Sequence, residues 1–581
     1  MPVRGEPDAD RAFRNPRSRK LSKVRTPEAN GSGMHIPGDN DGIIANLSTP
    51  MSRISAPSPR EGWDGLPPFD EIIEGISTLT TSFFQLGFIP KVLMFEQLRK
   101  DIKSVNSFLL FSILSISARF TPVLVKRYGS GARATQEFLG RASMLVQSQM
   151  FTPSYESVQG FFLMSISEWG NGDKNRSLVF MGIAVQLAGI LRMHREETYR
   201  LPANATTEEI VYAEVARRTF WMLETFENLH YGSDSPVVFS YPDITVLLPC
   251  DEREFLFGIQ PQTRAALDGT PPAVENPELI RLPMRPLFAT LLQTHNLWGK
   301  VARLVSADAM HLTSGVVSHV STDEYTGLAR MLATFEHEVP SQHSWSAWNL
   351  RAFKIEGLDL SFFSVVMVLR LSNIILRRSY LSDMLHSAST SDSEGQAEKL
   401  RAWPYVAEEL FDNMLLLHEQ ICAFFANRAP EQGYPALIVF CVYVCGSLAN
   451  HLHQQPHICP RVAPNALDVL HKSVQGLADL QGAWPLVRRW YTALCRASES
   501  TLANNNLQGQ QETSPISTST GDDPAGARQQ ASNVVDVQFN DPFPSDFMFE
   551  AFESYLWSDV STFNQDPLGD DPLTASAWAY S

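Results

Sequence analysis

The residues best equipped for chemistry are Cys441, Cys445, His451, His453, His457 and Cys459, a run of soft and imidazole donors of the kind that binds zinc. Their spacing argues against it. Cys441 and Cys445 lie four apart on one helix face within the most apolar segment of the chain, where a free cysteine packs as a small hydrophobe. His451 to Cys459 falls in a loop broken by Pro456 and Pro460, without the paired C-x-x-C geometry of structural zinc sites. Helix packing followed by a polar loop is the reading, and no residue is assigned as a metal ligand. The competing idea, a metal-dependent enzyme built on His451, His453 and Cys459, predicts stoichiometric bound metal.

His194, between Met193 and Arg195, has the chemistry of a ligand or proton carrier, but its ordinary role at a helix end is to meet terminal carbonyls. Trp221 and Trp298 sit at helical positions and read as core anchors rather than an aromatic cage. The chain has no Gly-x-Gly-x-x-Gly, Walker loop, Gly-x-Ser-x-Gly or His-Glu-x-x-His. No nucleophile, base and oxyanion donor come together at any spacing. The expectation is a protein that is not an enzyme, with no catalytic residue and no cofactor.

The elements around these residues are most legible between Gly182 and Pro249. Ala184, Leu187, Ala188 and Leu191 recur at i, i+3, i+4 and i+7, one stripe of a helix that must bury against a neighbour. Arg192-Met193-His194-Arg195 then places positive charge in that helix's last turn, against the negative end of its dipole. After a polar break over 201–207, Glu208 and Glu209 open a second helix with Val211, Val215, Met222 and Phe226 on one face. Glu214 precedes Arg217 and Arg218 by three and four residues, so ion pairing is expected to order that helix surface. Prolines in Tyr241-Pro242-Asp243-Ile244 and Leu247-Leu248-Pro249 forbid further helix.

This order of elements resembles the middle homology region of fungus-specific transcription factors, the large regulatory domain usually found behind a zinc binuclear cluster. Ala188 to Arg195, with Leu191, His194 and Arg195, is similar to the family's A-x-x-L-G-L-H-R helix. Glu214, Arg217, Arg218 and Trp221 match E-x-x-R-R-x-F-W, and Asp243 to Pro249 matches D-I-x-x-x-L-P. The similarity continues over 69–491. Gln186 stands where the family often has Arg, and Asp234-Ser235-Pro236 replaces Gly-Arg-Pro, which weakens the case for a shared ligand site but not the resemblance. No cysteine precedes Cys250, so the six clustered thiolates of the usual DNA-reading module are lacking from the sequence.

A hydrophobic content of 44% over 581 residues suits a globular protein with a large core. Residues 1–25 lack the apolar centre of a signal peptide, and six scattered cysteines imply reduced thiols. The uncharged apolar stretch 433–449 falls short of the roughly 20 residues of a membrane span. The apolar stretch 361–376 is interrupted by Arg370, so both read as helices inside a bundle, and no membrane partner is expected.

The fold class expected is all-α, a large multi-helix regulatory domain over 61–497 flanked by disordered tails. Helical patterns centre on 287–305, 358–381, 406–425 and 467–480, Leu109, Ile113, Ile116 and Phe120 form a further stripe, and 387–396 reads as a surface loop. Residues 1–60 form a basic tail in which Arg11, Arg14, Arg17, Arg19, Lys20, Lys23 and Arg25 run without an acid, against a net charge of −16 for the chain. Such a run serves as a nuclear import signal, a phosphate contact or merely a solvated tail. Residues 498–533 are a polar linker by composition.

Residues 534–581 contain no Lys or Arg and interleave acids with Phe539, Phe543, Phe547, Phe549, Phe552 and Trp557. Acid keeps such a tail exposed while aromatics enter a partner's groove, as in an activation domain that meets transcription machinery or a coactivator. The plainer alternative is a terminal helix docked on the parent domain. Together with the resemblance, these features imply a nuclear transcription regulator of a metabolic or secondary-metabolite gene cluster. DNA would be reached directly, through a partner regulator, or through a zinc cluster lying upstream. The rival reading is a small-molecule sensor or scaffold that docks other regulators. A homodimer stays open, since no heptad run argues for it.

Overall fold

The computed structural model describes residues 65–498 apart from 83–86, 231–238, 314–321, 379–380, 382–396, 430–431, 486 and 489. The basic run 11–25, most of the linker 498–533, the aromatic tail, the loop 387–396 and Asp234-Ser235-Pro236 lie outside the described residues. Among the described residues the secondary structure is helical, without strands, as the sequence leads one to expect.

The first group of helices is α1 (Phe69–Ser82), α2 (Lys91–Lys100), α3 (Ser107–Ser117), α4 (Pro122–Tyr128), α5 (Gly131–Gln149), α6 (Tyr155–Asn171) and α7 (Lys174–Ile190). α3 is apolar on every side, and a helix with no polar face has to be enclosed. It packs against α1, α5 and α6, and every residue of it except Ser107 is buried. Its buried serines return their hydroxyls to backbone carbonyls of the preceding turn, as Ser112 does to Phe108 O at 2.8 Å. α6 can approach α3 because residue 160 is glycine: a Cβ there would stand 2.3 Å from the Phe108 ring.

The second group is α8 (Thr207–His230), the short α9 (Glu252–Phe257) and α10 (Pro271–Glu275), then α11 (Leu287–Thr313), α12 (Thr322–Glu338), α13 (Ala347–Glu356), α14 (Asp359–Arg378), α15 (Ala397–Asn427), α16 (Ala436–Gln454) and α17 (Ala463–Leu480). α8 starts at a reciprocal cap: the Thr206 hydroxyl accepts from Glu209 N while the Glu209 carboxylate accepts from Thr206 N. α11 packs on α8 and α14, α14 on α15, and α16 on α15 and α17.

α14 and residues 437–454 are long and apolar enough to cross a membrane by length and composition, with 94% and 89% of those windows buried inside the protein. The helix expected from 433–449 thus runs further than the apolar stretch alone. Arg370 on α14 binds Asn413 Oδ1 at 2.8 Å and pairs with Glu336, while Arg377 pairs with Glu409 at 2.7 Å, so each guanidinium is answered by a neighbouring helix.

Candidate functional site

α7 ends one turn earlier than the charge pattern suggests. Its last residue is Ile190, and Arg192 takes a left-handed φ of 55° where a glycine or asparagine would be usual. Met193 N donates to Ala188 O at 3.0 Å and Arg192 N to Gly189 O at 3.0 Å, which closes the helix in a Schellman turn. The Arg192–Arg195 segment therefore lies beyond the helix rather than in its last turn. Met193 is buried, and the His194 carbonyl accepts from Thr245 N and Val246 N at 3.0 and 3.3 Å. The His194 ring does not meet terminal carbonyls as expected: it stacks on Phe239 with centroids 5.8 Å apart, and burial with nearby Arg195 lowers its pKa.

Glu214, Arg217 and Arg218 are not on a helix surface. All three are buried, at 2%, 3% and 0% exposure, because the chain over 244–252 lies across that face of α8. The spacing brings the charges together as read, while the partners come from elsewhere. Arg217 grips Glu196 through both Nη atoms at 2.6 Å, donates to Leu247 O at 2.9 Å, and covers the Tyr199 ring at 4.4 Å. Glu196 also accepts from Leu247 N at 2.8 Å. Arg218 donates to Glu252 Oε1 at 2.5 Å, Cys250 O at 3.0 Å and Gly87 O at 3.1 Å, with Phe255 stacked 4.1 Å from its Cζ.

Glu214 is the hub. Its Oε1 accepts from Cys250 N at 2.8 Å and Arg218 Nε at 3.3 Å, and Arg264 approaches Oε2 at 2.7 Å. Burial alone would push this carboxyl up. Arg264, Arg218, Arg217 and the Cys250 amide outweigh it and hold the pKa at about 2. The Cys250 thiol is pushed to about 12 by burial and by the Glu214 charge, so it stays protonated. Three carboxylates, Glu196, Glu214 and Glu252, face three guanidiniums, Arg217, Arg218 and Arg264, and the cluster is neutral as a whole.

The remaining motif residues converge here. Trp221 is fully buried and donates its indole N–H to Leu247 O at 3.0 Å, as a core anchor should. Arg195 lies 3.6 Å from Asp243, Pro249 is buried beside Cys250, and Leu191 is half-buried. Glu196, Tyr199, Glu252 and Arg264 were not singled out from sequence. The available signal was an Arg pair with one acid on its own helix, which called for further carboxylates nearby.

Such an arrangement holds chain segments together rather than transforming a substrate: each carboxylate is committed to a guanidinium, and the thiol is not a nucleophile. A buried pair of this kind is costly to break, since the survivor is left as an uncompensated charge. The cysteine and histidine run does not converge: Cys441 and Cys445 are enclosed in α16, His451 and His453 lie in the last turn of that same helix rather than in a loop, His457 is exposed, and burial lowers His451 to about 4. Among the described residues no group of three or more His, Cys, Asp or Glu is placed to hold a metal ion.

Residues 81–278, which contain this cluster, match the fungal specific transcription factor domain. Among curated proteins, the Zn(2)-C6 fungal-type transcription factor FTF1c of Fusarium oxysporum f. sp. lycopersici is 23% identical over 59% of this chain and 37% of its own length. The Zn(2)-C6 fungal-type transcription factor FTF2 of the same organism is 22% identical over 69% of this chain and 37% of its own length. An uncharacterized transcriptional regulatory protein of Schizosaccharomyces pombe is 21% identical over 44% of this chain and 27% of its own length. The matches thus span about 37% of the length of the Fusarium relatives.

Proposed function

We propose that the chain is a nuclear regulator of transcription, with a regulatory rather than a catalytic role, because residues 81–278 match the fungal specific transcription factor domain. The observation that supports this most is the match over 81–278, whose most recognisable residues, Glu214, Arg217, Arg218 and Trp221, form one buried cluster. The basic run Arg11 to Arg25 serves nuclear import or contacts phosphate. The acidic tail with Phe539, Phe543, Phe547, Phe549, Phe552 and Trp557 engages transcription machinery or a coactivator.

The Fusarium relatives are named as Zn(2)-C6 factors, whereas no cysteine precedes Cys250 in this sequence. Promoter recognition is therefore supplied by a partner regulator or by a zinc cluster upstream of the present sequence. The genes controlled form a metabolic or secondary-metabolite cluster, a step that rests on likeness to the family alone. Chromatin occupancy of a tagged copy, paired with transcript levels in a deletion strain, tests the reading. Sharp promoter peaks over genes that change on deletion are expected; a cytosolic protein without peaks would overturn it.

A further inference from the structure

The last turn of α16 and the outer face of α17 border a cleft of about 170 Å³ that the transcriptional reading leaves unused. This is well below the roughly 300–1,000 Å³ of a small-molecule site and equals about five or six water volumes at about 30 Å³ each. An occupant of that size is an ion with its waters. His453, from α16, and His471, from α17, both line the cleft, so two helices bring two imidazoles to one small space. Leu467, Leu470 and Val474 supply its apolar wall.

The polar groups there are uncommitted. Neither ring is hydrogen-bonded among the described residues. Gln475, one turn beyond His471, gives its Nε2 to Asp479 at 3.1 Å, which leaves the amide oxygen as an acceptor without a donor among the described residues. The nearest charges are closed on each other: Lys472 pairs with Asp468 at 2.8 Å, and no Asp, Glu, Lys or Arg is among the described residues that line the cleft. Such a lining lacks the oxygens that a hard cation demands, whereas imidazole nitrogen suits divalent transition metals. His451 and Cys459, the sequence neighbours that made His453 look like a ligand, are buried and do not line this space.

We propose that the cleft binds one divalent transition-metal ion of the zinc and nickel class, held by His453 and His471, with the Gln475 oxygen and water in the remaining positions. The set falls short of three His, Cys, Asp or Glu ligands, so the site is weak and reversible rather than a structural centre on which folding depends. It links the end of α16 to α17, and it stands whether or not the transcriptional reading does.

Calorimetric titration of the untagged full chain with nickel chloride tests it, with Cys422 and Cys495 alkylated beforehand so that thiolates do not compete. One equivalent of nickel should bind saturably, and magnesium should not bind. His471→Gln, at an exposed position, and His453→Gln should each weaken nickel at least about tenfold, and Gln475→Ala by a smaller factor. His457→Gln, an exposed imidazole outside the cleft, should leave the affinity unchanged. Absence of saturable nickel binding up to about 1 mM, equal binding of magnesium, an unchanged affinity in His471→Gln, or an equal loss in His457→Gln would each overturn the proposal.

Discussion

Arg217 on α8 and Glu196 in the turn after α7 meet in a two-pronged pair, both contacts at 2.6 Å, and the same carboxylate takes the Leu247 amide at 2.8 Å. One guanidinium thereby fixes three stretches of chain that are remote in sequence. Removing it strands Glu196 against Leu247 and opens a face of Tyr199. Arg217→Ala should cost about 1–3 kcal/mol of stability, the range for losing charge-assisted hydrogen bonds to a partner, Glu196, that stays partly hydrated. Arg217→Lys should recover only part of this, because an ammonium cannot reproduce the fork. Denaturant melts of the three proteins check both statements, and an Arg217→Ala variant as stable as the parent would contradict the first.

Glu214 gives a pH signature with a definite sign. Its folded pKa of about 2 lies below the ordinary value of 4.5, so its ionised form is what folding stabilises. The contribution is present above about pH 4.5 and is lost as pH falls from there toward 2. Glu214→Gln should therefore be strongly destabilised at pH 7 and differ far less from the parent near pH 3. Thermal melting at the two pH values reads the difference, and a gap that does not close in acid would show that charge is not the cause.

The glycine that lets α6 reach α3 makes a matched pair with one that does nothing of the kind. A Cβ at residue 160 would meet Phe108 at 2.3 Å, whereas at residue 140, on α5, it meets nothing within 4 Å. Gly160→Ala should destabilise by about 1–3 kcal/mol through overpacking. Gly140→Ala should stabilise by up to about 1 kcal/mol through helix propensity. Melting midpoints that move the same way would contradict this packing.

Thiol labelling separates core cysteines from surface ones. Cys250, Cys441, Cys445 and Cys459 are buried, Cys422 is exposed and Cys495 half-buried. Burial also raises the pKa of Cys441 and Cys445, which suppresses the reactive thiolate. A disulfide reagent at pH 8 should label Cys422 and Cys495 in the native protein and the other four only after unfolding. Peptide mapping identifies them; rapid native labelling of Cys441 would mean that α16 is not enclosed.

Helices and their apolar stripes were legible in this sequence because burial enforces a period. Ala184, Leu187 and Ala188 are buried as their spacing demands; Val211, Val215, Met222 and Phe226 are buried too, but so is every residue from Glu214 to Phe226, because α8 is covered on all sides there rather than on one face. The burial of Glu214, Arg217 and Arg218 was not legible, since spacings of three and four residues look the same on a solvated helix and under a covering loop. Their partners Glu196, Glu252 and Arg264 lie on other segments, and no local rule links residues so far apart. The end of α7 was hidden because Arg192 occupies a left-handed position that sequence rules reserve for glycine or asparagine.

Glu224 opposes Glu214 in its response to pH. It is buried on α8, where its Oε1 accepts from Asn228 at 2.5 Å and from the Tyr241 hydroxyl at 3.3 Å. Asn296 donates to that same hydroxyl at 2.7 Å, and Arg303 reaches Asn228 rather than the carboxyl, at 3.3 Å. Its Oε2 finds no hydrogen bond among the described residues. Burial, with Glu227 nearby, raises the pKa from 4.5 to about 7 against the pull of Asn228, Tyr241 and Arg303. The folded state thus prefers the protonated acid. Its stabilising effect is complete below about pH 4.5 and is lost as pH rises through 7. Glu224→Gln keeps the shape and cannot ionise, so its melting temperature relative to the parent should climb between pH 5 and pH 8. Buried histidines such as His451 titrate in both proteins and cancel in this difference. A relative melting temperature that stays flat over that range would place the ionisation of Glu224 outside the window and remove the argument.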